Sequence, residues 1–222
     1  MYTRFKMALL CAGALTATSL MTSQAQAGLD GNPFEGLYLG FNANYAKVKS
    51  TTTYDLLNAP TSTFNGITST KSGNGYGGIL FGGIGTNFWG PLYAGVEAGL
   101  GVNGGTATVS DGAATLGLKA GFTLDLDARL GMTISDRVLV YAIGGYTSIK
   151  YKGIGFTSGK SSGLAGYRYG AGFEVGILED IALRVEYSRT EHSSVTWIQG
   201  GDSFTFDPST QVFRIGLVLH MD

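Results

Sequence analysis

The residues with most chemistry to offer are arginines and carboxylates, and they recur at every second position. In LDLDARLGM, Asp125, Asp127 and Arg129 alternate with Leu124, Leu126, Ala128, Leu130 and Met132. The same interval sets Glu97 in LYAGVEAGLGVN, Arg168 and Glu174 in YRYGAGFEVGI, Arg184 and Glu186 in IALRVEYS, and Arg214 in VFRIGLVLHM. Successive side chains of a β-strand point to opposite faces, so these acids and arginines are predicted to share one side of a sheet. Charges held in a confined interior must pair, because an unpaired buried charge costs several kcal/mol. Two chemistries suit such a set. One is an ion path in which arginine–carboxylate pairs exchange partners; the other is a static polar core.

Nucleophilic catalysis has little to work with. The histidines are His192 and His220, and Glu191-His192-Ser193-Ser194 offers His192 as a base and Ser194 as a nucleophile. Only Glu186 or Glu191 could orient that imidazole, and no catalytic residue is assigned. Asp202 and Asp207 could approach a cation, but their spacing does not resemble a calcium loop. The single cysteine, Cys11, leaves no disulfide and no thiolate metal site further along the chain. No metal and no cofactor are expected.

The elements that must position these charges are strands. The N-terminus carries Arg4 and Lys6, an apolar run from Met7 to Leu20, and Ala25-Gln26-Ala27 as a cleavage site. Residues 1–27 are therefore expected to be a signal peptide and 28–222 one domain. Charged residues make up 14% of the chain, against about 25% in ordinary soluble domains. Glycine, at 36 of 222 residues, is more than twice as frequent as the usual ~7%. A net charge of −1 offers no electrostatic footprint for nucleic acid. No apolar stretch of about 18 residues follows the signal, so no transmembrane helix is expected.

Period-two segments are predicted at 36–48, 76–87, 91–103, 115–134, 138–151, 164–178, 181–192 and 209–221. Tight turns near Asn87–Gly90, Ser135–Arg137 and Leu178–Asp180 alternate with longer connections at 49–75, 104–114, 152–163 and 193–208. In 76–87 and 138–151 both parities are apolar, and the register is left open. Alternation alone suits a soluble barrel equally well. Composition separates the two, because the polar parity is mostly glycine with sparse charge, as a narrow barrel interior requires. The apolar parity is continuous, with Tyr45, Tyr167, Tyr169 and Tyr187 toward the long connections and Phe88 and Trp89 at a short turn. Aromatic girdles, strands of at least about 9–11 residues, and short turns opposite long loops describe a transmembrane barrel. The fold class predicted is all-β, an eight-stranded antiparallel transmembrane β-barrel with its charges inward.

The segments GLYLGFNANYA (36–46), PLYAGVEAGLG (91–101), LDARLGMTISDRVLVYAIGGY (126–146), YGAGFEVGILEDIALRVEYSRTE (169–191) and VFRIGLVL (212–219) resemble the small outer-membrane β-barrel proteins of Gram-negative bacteria. That porin-like or opacity-type family is related to the OmpA transmembrane domain. The resemblance implies residence in the outer membrane among lipid and lipopolysaccharide, with insertion by the barrel-assembly machinery. Such proteins usually end in an aromatic residue, whereas this sequence reads His220-Met221-Asp222.

The functional expectation is a non-enzymatic, structural and surface-exposed barrel. Its lumen charges Glu97, Asp125, Asp127, Arg129, Arg168, Glu174, Arg184, Glu186 and Arg214 could line a narrow porin-like path. An eight-stranded barrel holds little beyond its own side chains, which favours a static, charge-paired plug. The alternatives are a surface adhesin or antigen acting through the 49–75 and 193–208 connections, with Trp197, Ile198, Phe204 and Phe206 meeting a host or surface ligand, and a lipid A-modifying enzyme. Those four residues flank a Gln199-Gly200-Gly201-Asp202 turn in a segment predicted to extend the last hairpin beyond the membrane.

Overall fold

Apolar and small residues alternate over nearly every segment of the chain, and the structure answers with strands throughout. The computed structural model describes residues 34–55, 68–110, 115–155, 161–199 and 202–221. The expected signal peptide, the Gly200-Gly201 turn and the loop tips at 56–67, 111–114 and 156–160 lie outside the described residues. The elements are β1 (Gly36–Asp55), β2 (Thr68–Trp89), β3 (Leu92–Val102), β4 (Thr106–Ser110), β5 (Thr115–Ser135), β6 (Val138–Ile154), β7 (Ser161–Gly176), β8 (Ile181–His192), β9 (Val195–Gln199) and β10 (Asp202–Met221). Among the described residues there is no helix.

Neighbouring strands pair antiparallel in the order β1-β2-β3-β5-β6-β7-β8-β10, and β10 pairs back onto β1 from Leu37↔Met221 to Asp55↔Ser203. That last ladder closes the ring of eight strands, the condition for a sheet to sit in lipid. β4 continues the path of β3 against β5, and β9 continues that of β8 against β10. The chain therefore makes eight passes, as the sequence pattern predicts. Between β3 and β4 the chain bends at Gly105, whose φ of 134° favours glycine. Opposite the bend the β5–β6 register shifts between Ala120 and Thr123, so both of these side chains point inward.

The strands run further toward the long-loop end than the sequence pattern predicts. Residues 49–55 and 68–75 extend β1 and β2, while 106–110, 195–199 and 202–208 are also strand. Threonine explains the first extension. It is β-branched and suits a pleated surface, and Thr51 Oγ1 meets Thr70 Oγ1 at 3.0 Å across the β1–β2 ladder. The β9–β10 hairpin pairs Gln199 with Asp202 and Trp197 with Phe204.

The two faces have the chemistry of a membrane barrel. Leu39, Phe41, Leu80, Leu100, Leu126, Leu130, Leu217 and others stand exposed on the outer face, and Leu126 is 62% exposed. Tyr45 and Tyr76 meet with ring centroids 5.4 Å apart, and Tyr146 and Tyr167 at 6.1 Å, forming an outward aromatic band toward the long loops. Phe88 and Trp89 mark the opposite rim. The open registers resolve inward for Ile79, Phe81, Leu139, Tyr141 and Ile143, which join Phe34, Tyr38 and Tyr93 in an interior cluster at the short-turn half. A second interior cluster fills the long-loop end: Val48, Ala107, Leu118, Ala120, Ile149, Tyr151, Leu164, Trp197 and Phe206.

Candidate functional site

Strand alternation turns all nine charged lumen residues inward, and the ring brings them together between the two apolar clusters. They form two knots. Toward the short turns, Arg184 Nη1 lies 2.7 Å from Glu97 Oε2 and its Nη2 lies 2.8 Å from Glu174 Oε1. Arg129 pairs with the same Glu174 and stands 3.7 Å from Glu97. Toward the long loops, Arg168 pairs with Asp127 and Glu186 and lies 3.1 Å from Asp125 Oδ2. Arg214 closes this second knot, 2.7 Å from Asp125 Oδ2 and 3.2 Å from Glu186 Oε1. Arg184 and Glu174 are both 0% exposed.

These pairs cross the whole lumen. β8 and β3 stand on opposite sides of the ring, as do β10 and β5, yet Arg184 meets Glu97 and Arg214 meets Asp125 directly. A guanidinium on a long stem is the group able to bridge that gap while donating several hydrogen bonds in one plane. Shared partners also reduce the entropic cost of each bridge, since a side chain fixed by one pair is already ordered for the next.

Aromatic rings surround the arginines. The Arg129 guanidinium carbon sits 3.8 Å from the Tyr141 ring centroid, 5.4 Å from that of Tyr38 and 5.5 Å from that of Tyr93. Arg184 lies 4.0 Å from the Phe81 ring centroid. These are cation–π distances in a desolvated setting, where the interaction is strongest. The lumen glycines make the rings fit: a Cβ at Gly85 would fall 2.0 Å from Tyr93 Oη, and one at Gly172 would fall 2.7 Å from Tyr141 Oη.

Several participants are absent from the charge pattern read off the sequence. Thr147 donates to Asp125 Oδ1, Thr123 Oγ1 lies 3.2 Å from the same oxygen, and Tyr141 Oη donates to Glu186 Oε2 at 3.4 Å. His220 Nε2 lies 3.4 Å from Glu174 Oε2. Parity could have found Thr123 and His220, which share a face with the charges on their own strands; Thr147 lies on β6, whose inward face carries no charge. Tyr141 sits where both parities are apolar.

The remaining sequence candidates are dispersed. His192 Nε2 meets Thr210 Oγ1 at 3.2 Å, while Ser194 Oγ donates to Asp207, so neither uses the other as its partner. Trp197 and Phe206 are buried in the upper cluster with ring centroids 5.4 Å apart, and Phe204 packs against that cluster half-buried. Ile198 points outward and is exposed. Among the described residues no group of histidine, cysteine and carboxylate side chains could hold a metal ion.

Comparisons with known proteins agree with this architecture. A family model described as an outer membrane protein beta-barrel domain matches residues 13–220. Over 102 residues, 46% of the chain, the sequence is 30% identical to the 25 kDa outer-membrane immunogenic protein of Brucella canis. The chain spans about half the length of that relative, 47%. Among solved structures, the outer membrane protein OprG from Pseudomonas aeruginosa aligns with a TM-score of 0.55 at 13% identity, covering 86% of this chain and 99% of that one. Neisserial surface protein A aligns with a TM-score of 0.48 at 12% identity, covering 84% and 98%. At such identity the likeness to OprG is one of fold.

Proposed function

The chain belongs to the outer membrane protein β-barrel family of the bacterial outer membrane, and we propose that its role there is structural: a closed barrel that carries long strand ends to the cell surface. One observation above all supports a closed lumen. Arg184 bonds Glu97 from the far side of the ring at 2.7 Å, and both are buried. An apolar layer around Leu118, Tyr151, Trp197 and Phe206 then covers the charges toward the outside, where a diffusion pore would need water. On this reading the charges are a neutralised polar core, and the protein performs no catalysis. Export begins with cleavage after Ala27, and the barrel-assembly machinery inserts the remainder.

Planar-bilayer recording with purified protein tests the closed lumen. The expected result is a silent bilayer. Stable ion steps from the unaltered protein, lost on Arg129→Ala or Glu97→Ala, would replace this reading with a narrow porin.

A surface-antigen role is a second reading, favoured by the Brucella canis relative, which is named an outer-membrane immunogenic protein. Antibodies raised against the 195–208 segment should bind intact cells. Binding only after permeabilisation would reject this role for that segment.

A further inference from the structure

Lys119 and Lys152 are direct cross-strand partners on β5 and β6, and both point outward. Directly opposed residues in an antiparallel pair hold their Cβ atoms about 5 Å apart, and like charges in that position are destabilising. Lys150 stands two residues along β6 on the same face, about 7 Å from Lys152 along the strand. All three are exposed. Their ladder neighbours across the adjoining strands are uncharged: Thr106 beside Lys119, Gly163 beside Lys150 and Ser161 beside Lys152. Among the described residues no carboxylate pairs with any of the three.

The opposite flank of the barrel shows that this imbalance is local. There Lys49 lines a polar groove with Arg189, Glu191 and Asp207, and Arg189 Nε lies 2.5 Å from Glu191 Oε1. Among the described residues, the β5–β6 flank has the cations without the acids.

Position supplies the ligand. Below the triad, on the same outward face, come Phe122, Leu124, Tyr146 and Tyr167, all exposed and part of the lipid-facing surface. The lysines therefore stand just outside the aromatic band, at the height of the outer-leaflet headgroups. A molecule covering both zones must present phosphates above and acyl chains below. We infer that Lys119, Lys150 and Lys152 form a binding site for the phosphorylated saccharide headgroup of lipid A, whose acyl chains lie over Phe122 and Leu124. This site rests on the membrane placement of the outer face and is independent of whether the lumen conducts.

The test is retention of lipid A by detergent-solubilised, folded barrel. Bis-phosphorylated lipid A should bind the unaltered protein. The triple variant Lys119→Gln/Lys150→Gln/Lys152→Gln should weaken binding by on the order of a hundredfold, three near-surface cations being lost. The control Lys47→Gln/Lys49→Gln should bind as the unaltered protein does. All three proteins should keep heat-modifiable gel mobility, since the changed side chains are exposed. Equal binding by the triple variant, or equal binding of dephosphorylated lipid A, would overturn the site. A preference for a soluble sulfated oligosaccharide over lipid A would also overturn it, assigning the patch to a polyanion outside the membrane. The planar-bilayer experiment is unaffected by any of these results, so the two readings fail separately.

Discussion

Arg214 on β10 and Asp125 on β5 meet at 2.7 Å although their strands face one another across the full width of the ring. On the proposed closed-lumen reading, a contact of that kind makes the lumen a core. Each of the two residues has a second partner, Glu186 at 3.2 Å for Arg214 and Arg168 at 3.1 Å for Asp125, so the bridge is one link of a closed circuit.

Removing one member should therefore expose the cost of the others. Arg214→Met leaves Asp125, Asp127 and Glu186 sharing Arg168 in a buried setting, and is expected to destabilise the barrel by about 3–5 kcal/mol. The double variant Arg214→Met/Asp125→Leu should be milder than the sum of its singles, because the orphaned charge leaves with its partner. Urea unfolding followed by gel mobility measures both. Strict additivity would mean that the two residues do not interact.

The two parities of β5 should answer to different solvents. Leu126 faces outward and Asp127 inward, one residue apart. Cysteine placed at 126 should react with a bilayer-confined label, and cysteine at 127 should not. Leu126→Arg should cost about 2–4 kcal/mol if the position lies near the bilayer midplane. Labelling at 127 but not 126 would invert the barrel wall.

The lumen glycines should resist even a methyl group where a tyrosine ring lies against them. A Cβ at Gly85 would meet Tyr93 Oη at 2.0 Å and its ring carbons at 2.5 and 2.6 Å. Gly85→Ala is thus expected to cost about 1–3 kcal/mol by overpacking. Adding Tyr93→Leu should remove that penalty, leaving only the cost of the lost ring. If Gly85→Ala is equally harmful in the Tyr93→Leu background, the ring is not the obstacle.

Much of this was legible in the sequence, and the exceptions have physical causes. Parity gave the inward set on β3, β5, β7, β8 and β10, because charge and leucine cannot share a face there. It left β2 and β6 open, since Ile79, Phe81, Leu139, Tyr141 and Ile143 are apolar side chains pointing inward to pack around arginines. Parity also says nothing about which charge meets which. Pairing depends on angular position around the ring, and Arg184–Glu97 joins residues 87 apart in sequence. The upper strand extensions read as loops because Ser, Thr, Gly and Asn usually mark turns. Here alternating threonines carry the ladder on, and inward Val48, Trp197 and Phe206 give it a core.

That upper core can be tested through two neighbours with opposite orientations. Trp197 is 7% exposed and packs on Phe206, while Ile198, the next residue, points away and is 61% exposed. If β9 truly continues the barrel wall, Trp197→Ala removes a buried ring and should cost about 3–5 kcal/mol. Ile198→Ala, at a free surface, should stay within about 0.5 kcal/mol. The Trp197 change should also loosen the hairpin, so that protease added to intact cells cuts between 195 and 208 far faster than in the Ile198 variant. An adhesive patch would behave the other way. Ile198→Ala would then abolish binding to its surface ligand with folding intact, whereas Trp197→Ala would act on binding only by unfolding the hairpin that presents it. Equal stability and equal proteolysis in the two variants would mean that the alternation stops at β8 and that the 195–208 segment is a loop lying over the barrel.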